Sequence, residues 1–336
     1  MRLVLAAGTT RTARTDGISA AGADPDVMVH TPGADAEILV EGRPIERPVV
    51  PVSPSGCPTP AVVTRAVREV ADFDVTVLDA GLSHPTGIET VPLGADPGND
   101  VREAVAVPDA GRIFEAAREV GAELGDDRVF VAETIPGGTT TALGVLAALG
   151  EDWGVSSSLP ENPLDLKRRV VDEGLAASDL VPGGAADDPL RAVEAMGDPV
   201  LAAVAGTVLG AAESGTEVTL AGGTQLLAAA AVLRGLGVEA PLTLATTSFV
   251  AGDRTTALDE ATDALDLDLV VTDPGFGVSD HVAMARYVAG EGKEGVGMGG
   301  ALAFARERGV PMAEIHGSVE TVYERLVARP EGADGP

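Results

Sequence analysis

Twice in this chain a short β-branched run ends at Gly-Gly-Thr and gives way to an apolar, helix-prone stretch. Arg128-Val-Phe-Val131 leads through Ala132-Glu-Thr-Ile-Pro-Gly-Gly-Thr139 to Leu143–Leu149, and Glu217–Ala221 leads through Gly222-Gly-Thr-Gln225 to Leu226–Leu236. A strand that turns on glycines into a helix is the building unit of an α/β fold. Further strands are predicted at the start of the chain before Gly8, at Phe73–Asp79, at Leu242–Thr247 and at Leu267–Thr272. Helices are predicted over Thr59–Ala71, Asp109–Leu124 with Asp109 as its cap, from Leu164, and over Pro199–Ala212, Asp280–Tyr287, Ala301–Arg308 and Ile315–Ala328. The Pro-rich stretch 31–60 offers two short candidate strands, Ala36–Leu39 and Val49–Val52. This alternation implies a doubly wound, mainly parallel sheet flanked by helices, with a small companion subdomain from the N- and C-terminal segments. The expected divisions are an N-terminal segment 1–72, a Rossmann-like nucleotide-binding core 73–300, C-terminal helices 301–329 and a tail 330–336.

The formal charge of −29 bounds the partners more than the fold. Nucleic acid is a poor ligand for so acidic a surface. The acids are spread along the chain and not blocked together, which fits a halophilic protein whose self-repulsion is screened by salt. Only two lysines remain among the 23 basic residues, Lys167 and Lys293, and both invite a reason. Apolar runs are short, so no membrane partner is expected, and the first residues read as a strand and a glycine turn; cytoplasmic is the default. Cys57 is the single cysteine and the four histidines, His30, His84, His281 and His316, have no ligand spacing. No metal site is expected.

In a parallel sheet, ligands bind outside the carboxyl ends of the strands. Glu133 stands at one such end. Gly137, Gly138, Thr139 and Thr140 follow it as a turn whose N–H groups and helix dipole favour an anion such as phosphate. A plain helix start capped by Thr139 or Thr140 is the competing reading. Ser83 and His84 follow the strand at 73–79, and the serines of 156–158 and Gly222 occupy further turns. Neither Gly-x-Gly-x-x-Gly after a strand nor a Walker A motif occurs, and the absence of Gly-x-Ser-x-Gly disfavours a hydrolase. The glycine-crowded run 290–300 implies close backbone approach or flexibility.

Taken together, several stretches resemble the nicotinate-nucleotide:dimethylbenzimidazole phosphoribosyltransferases, and more closely their archaeal branch. Glu133-Thr-Ile-Pro-Gly-Gly-Thr-Thr140 resembles that family's loop for the nicotinate nucleotide, and Leu164-Asp-Leu-Lys-Arg-Arg-Val170 its helix with a phosphate-binding lysine. The serine turn with Ser157 lies where the family has Gly-Thr-Gly, and Glu294-Gly-Val-Gly297 resembles a late loop whose glutamate is the general base. The family's Asp-Gly is Ala221-Gly222 here, and Glu291 is an alternative match for the late glutamate.

The resemblance implies transfer of the 5-phosphoribosyl group from nicotinate mononucleotide to a benzimidazole-like or purine base, giving an α-ribazole-type nucleotide for cobamide assembly. It implies Glu294 as the catalytic base, and Glu133, Gly137, Gly138, Thr139, Thr140, Ser157, Lys167, Gly222, Ser83 and His84 as substrate-binding residues. No cofactor is implied, because the pyridinium leaving group carries its own positive charge. The partners are the mononucleotide and an aromatic base acceptor, and the family habit is a homodimer. Each residue has a plainer fate: Glu294 a solvated glutamate, Lys167 an ordinary helix-face lysine, His84 a loop cap. A non-catalytic nucleotide-binding protein, or a phosphoribosyltransferase outside cobamide synthesis, stays open beside this reading.

Overall fold

In the computed structural model, which describes residues 1–19, 25–47, 51–53 and 55–328, seven strands form one parallel sheet. They are β1 (Arg2–Ala7), β2 (Asp74–Asp79), β3 (Val91–Pro92), β4 (Arg128–Thr134), β5 (Glu217–Ala221), β6 (Leu242–Thr247) and β7 (Leu267–Thr272). Their spatial order is β3-β2-β1-β4-β5-β6-β7, and every pair is parallel. The chain therefore winds one way from β1 and the other way from β4, which is the doubly wound α/β fold expected. β1 lies inside the sheet, between β2 and the central strand β4. Residues 2–7 thus supply an interior strand to the sheet built mainly from residues beyond 73.

The side chains of β1 alternate between two cores: Val4 and Ala6 face one layer, Leu3, Leu5 and Ala7 the other. A parallel strand buried on both faces reads as a continuous apolar run, as this one does. The first layer comes from the middle of the chain and includes the helices Gly138–Leu149, Leu164–Ala177, Pro199–Glu213 and Thr224–Gly235. The second comes from the N- and C-terminal segments, where Thr31–Glu41, Ala61–Ala71, Met298–Glu307 and Met312–Val327 pack together. No helix among the described residues is long and apolar enough to cross a membrane.

Three local expectations are corrected. Ala36–Leu39 is not a strand but lies inside the helix Thr31–Glu41, which Pro32 opens and left-handed Gly42 closes. Ala34, Ala36, Ile38 and Leu39 are buried on it, and so short an apolar run fits either period. Asp109 makes no capping bond; its carboxylate pairs with Arg112 at 2.9 Å. The helix after β4 starts at Gly138, so Thr139 and Thr140 sit inside its first turn and neither caps it. The left-handed residue there is Gly137, with φ of 82°. Of the candidate strand Val49–Val52, residues 49 and 50 lie outside the described residues, as does the tail 330–336; Val52 forms an isolated antiparallel bridge with Pro58.

The helix Pro199–Glu213 is buried over most of its length, as its apolar circumference predicts. It meets the helix Ala110–Glu123 through glycines. A Cβ on Gly210 would lie 1.9 Å from the Arg118 carbonyl oxygen, and one on Gly206 would lie 2.1 Å from that of Phe114. The obstacle is backbone, so relief requires the helices to part. Gly210→Ala is expected to destabilise the fold by about 1–3 kcal/mol, read as a lower urea midpoint. An unchanged midpoint would show that the two helices are not locked at this spacing.

Candidate functional site

The point where the winding reverses lies between β1 and β4, and a cavity of about 160 Å³, open to solvent, lies beside it at the carboxyl ends of β4 and β5. This is the crevice in which doubly wound sheets bind ligands. Three successive segments wall it: the β4 end with the following helix start (Glu133, Gly137, Gly138, Thr139), the turn Ser156–Ser158, and the start of the helix after β5 (Gly223, Thr224, Gln225). The glycine-crowded loop contributes Gly292 to Val296, and the N-terminal segment contributes Thr31, Asp35 and Pro58 to Pro60. The glycines serve close approach: a Cβ on Gly299 would sit 2.4 Å from the Thr246 backbone, and one on Gly300 would sit 2.4 Å from Ala221 Cβ.

Three carboxylates, Glu294, Glu133 and Asp35, line the cavity, and Asp198 lies behind it. Glu294 lines the cavity, and its two oxygens are held from behind. Oε1 accepts the Gly299 N–H at 2.9 Å and the Gly295 N–H at 3.2 Å, while Oε2 accepts the Thr247 N–H at 3.2 Å and the Thr246 hydroxyl at 3.4 Å. Burial lifts its pKa to about 7, against these donors. Glu133 faces the same cavity, and burial together with the charges of Asp198, Glu294 and Asp35 lifts it to about 8. Asp35 is lifted to about 7 by burial, although it accepts hydroxyl protons from Thr59 at 2.6 Å and Thr134 at 2.7 Å. Asp198 is also raised by burial; it accepts the Thr141 hydroxyl and the Gln225 amide. Burial is the leading cause for all four acids, and for Glu133 the like charges around it add to the rise.

Behind the wall stands the one positive charge of the basic helix Leu164–Ala177 that points inward. Lys167 is wholly buried, and its Nζ donates to Thr139 Oγ1 at 2.9 Å and to the Ser156 carbonyl at 2.8 Å. It thus ties the β4 turn to the serine turn. Burial, then the neighbouring Lys293, lower its pKa to about 7. Arg168 and Arg169, its sequence neighbours, are exposed.

Of the residues singled out from sequence, Glu133, Gly137, Gly138, Thr139, Ser157 and Glu294 line the cavity, and Lys167 braces its wall. The others lie elsewhere. Thr140 is buried within its helix. Gly222 sits one residue short of the wall, where a Cβ would meet Leu226 at 2.5 Å. Ser83 bonds Thr9 Oγ1 at 2.6 Å, and His84 stacks on His30 with ring centroids 4.0 Å apart, over a separate small hollow. Glu291, the alternative late carboxylate, is turned away and occupied by the hydroxyls of Ser53 and Ser55. Asp35, Gln225, Lys293 and Asp253 contribute to the site or its bracing without having been read from sequence. For Lys293, the scarcity of lysine was the available signal. For the acids there was none.

With this geometry in view, comparison with known proteins is specific. A family model described as phosphoribosyltransferase matches residues 62–272. A UPF0284 protein of Halobacterium salinarum is 58% identical over 96% of this chain and 97% of its own length. A UPF0284 protein of Methanosarcina mazei is 41% identical over 95% of this chain and 93% of its own. Two crystal structures from Thermus thermophilus, described as CobT and as nicotinate-nucleotide-dimethylbenzimidazole phosphoribosyltransferase, share the fold with TM-scores of 0.64 and 0.62. Each is 21% identical and covers 98% of this chain and 86% of its own.

Proposed function

The chain belongs to the phosphoribosyltransferase family, and on that premise we propose that it moves the 5-phosphoribosyl group of nicotinate mononucleotide to a ring nitrogen of a benzimidazole-like or purine base. The product is an α-ribazole-type nucleotide, the lower-ligand unit of a cobamide. The observation that carries this reading is the convergence of Glu294 and Glu133 with the Thr139 and Ser156–Ser158 turns on one cavity at the carboxyl ends of β4 and β5.

In the proposed step the acceptor nitrogen attacks C1′ of the ribose as the bond from C1′ to the pyridine nitrogen breaks. The bonding pair leaves with nicotinate, whose ring returns to neutrality. The azole N–H proton passes to Glu294, whose pKa near 7 suits a base at neutral pH. Its oxygens are fixed by four donors, so it is positioned before substrate arrives. Glu133 presents a second carboxylate that, when ionised, favours the pyridinium charge of the bound nucleotide. The helix starts at Gly138 and Thr224 present backbone N–H groups and positive dipole ends to the cavity, a setting that favours the phosphate. Lys167 supports that wall from within through Thr139 and Ser156.

The test is nicotinate release from the mononucleotide in molar KCl with benzimidazole, adenine or a phenol as acceptor. Release with a stoichiometric new ribosyl bond to one of them is expected. Tight nucleotide binding with no release under every acceptor would overturn the proposal in favour of a nucleotide-binding role on the same scaffold.

A further inference from the structure

Only two of the chain's 23 basic residues are lysines, and both are buried, although lysine is among the side chains least often removed from water. They also connect to the same residue, Lys167 directly and Lys293 through Asp253. Lys167 Nζ donates to the Ser156 carbonyl at 2.8 Å; Lys293 Nζ donates to Asp253 Oδ2 at 2.7 Å, the oxygen that accepts the Ser156 hydroxyl at 2.9 Å. Two ammonium groups therefore reach one turn of the cavity wall from two sides. Asp253 also accepts from Thr255 Oγ1 at 2.7 Å and from the Thr255 N–H at 3.1 Å, so its position is fixed independently of Lys293.

Lys293 itself lines the cavity. Its backbone holds a left-handed φ of 31°, a conformation that costs a non-glycine residue free energy and that clusters at functional sites. The Thr247 hydroxyl secures it by donating to the Lys293 carbonyl at 2.6 Å. A lysine ammonium has three donors on a compact charge, and Asp253 engages one of them.

We propose that Lys293 is a further substrate-binding residue: a second cation for the phosphate of the ribosyl phosphate, held at the Ser156 turn by Asp253 until that phosphate arrives. The inference deepens the transferase reading and rests on it for the identity of the phosphate ester. Without the substrate, Asp253 balances the charge. With it, the remaining donors meet phosphate oxygens beside the Ser156–Ser158 turn. Because Glu294 is the next residue, the group that grips the phosphate and the group that takes the proton move as one loop.

The test is calorimetric, in molar KCl, with four probes: nicotinate mononucleotide, nicotinate riboside, ribose 5-phosphate and ribose. Lys293→Met is expected to weaken the mononucleotide at least tenfold while changing the riboside less than twofold, and Lys293→Arg is expected to fall between. The double variant Lys293→Met with Asp253→Asn removes both partners of the ion pair and guards against a folding defect; it should retain the selective loss. Equal losses for mononucleotide and riboside, or recovery of mononucleotide affinity in the double variant, would overturn the inference, since Lys293 would then only neutralise Asp253. Should the wild type transfer nothing to any acceptor yet bind ribose 5-phosphate over ribose in a Lys293-dependent way, the transferase reading fails and this one stands. Absence of any phosphate-dependent binding removes this one.

Discussion

Glu294→Gln is expected to lower turnover by about 10²–10⁴-fold, the usual contribution of a positioned general base, while affinity for nicotinate mononucleotide stays within a few-fold. The reason is geometric. Two donors aim at each oxygen of Glu294, which lines the cavity, so the carboxylate cannot swing, and taking up a proton displaces one of them, the Thr246 hydroxyl at 3.4 Å being the longest. A general base acts in its ionised form. With the pKa raised by burial to about 7, kcat/KM should therefore climb through pH 7 and level off above it. The variant should lose that inflection. Glutamine sets an NH₂ against the N–H donors on one side, so the urea midpoint is measured alongside. A folded variant that binds nucleotide and turns over at the wild-type rate would remove Glu294 from the chemistry.

That Glu294 and Glu133 were legible, and Asp35 and Asp253 were not, has a physical basis. Glu133 ends β4 just before a glycine turn and Glu294 lies in the glycine-crowded run 290–300, and such stretches have a sequence grammar. Asp35 lies in a helix that looked like a strand, and Asp253 in a surface-like turn; each is one of 52 acids in an acidic chain. Only packing distinguishes a carboxylate held by Thr59 and Thr134 from one in open solvent. The strands were readable because a doubly covered parallel sheet demands apolar β-branched runs, and β5, β6 and β7 have the bounds those runs mark. β3 has two residues, too few for any period to show. The helix Pro189–Met196 was passed over, although Asp188 accepting from the Arg191 N–H with Pro189 at the first position is an ordinary helix start. Ser83 and His84 illustrate a different limit. Strand ends share a rim, but the cavity forms at the ends of β4 and β5, and the end of β2 is separated from β4 by β1, where Thr9 takes up Ser83.

The acid cluster should also invert the ordinary dependence of stability on pH. Carboxylates in folded proteins are usually stabilised as anions, so that raising the pH through their range adds stability. Here Asp35, Glu133 and Glu294 are raised from about 3.8–4.5 to about 7, 8 and 7. Between those limits the folded chain binds more protons at these sites than the unfolded chain does. The slope of unfolding free energy with pH is then negative, so their contribution is fully present below about pH 4 and is lost as pH rises to about 8. Glu133→Gln removes the member with the highest value and relieves its charge on Glu294 and Asp198. The variant should match the wild type at pH 5 and exceed it at pH 8 by about 2 kcal/mol or more, read from urea midpoints at constant molar KCl. The same charges give the substrate its leverage. Nicotinate mononucleotide brings a pyridinium cation into the cluster, so it should raise the wild-type midpoint more at pH 8 than at pH 5, and Glu133→Gln should shrink that difference. A wild-type midpoint that rises between pH 5 and 8 and is unaltered by Glu133→Gln would show the acids to be stabilised as anions where they stand, and would leave the cavity without the electrostatic strain that the cation is proposed to relieve.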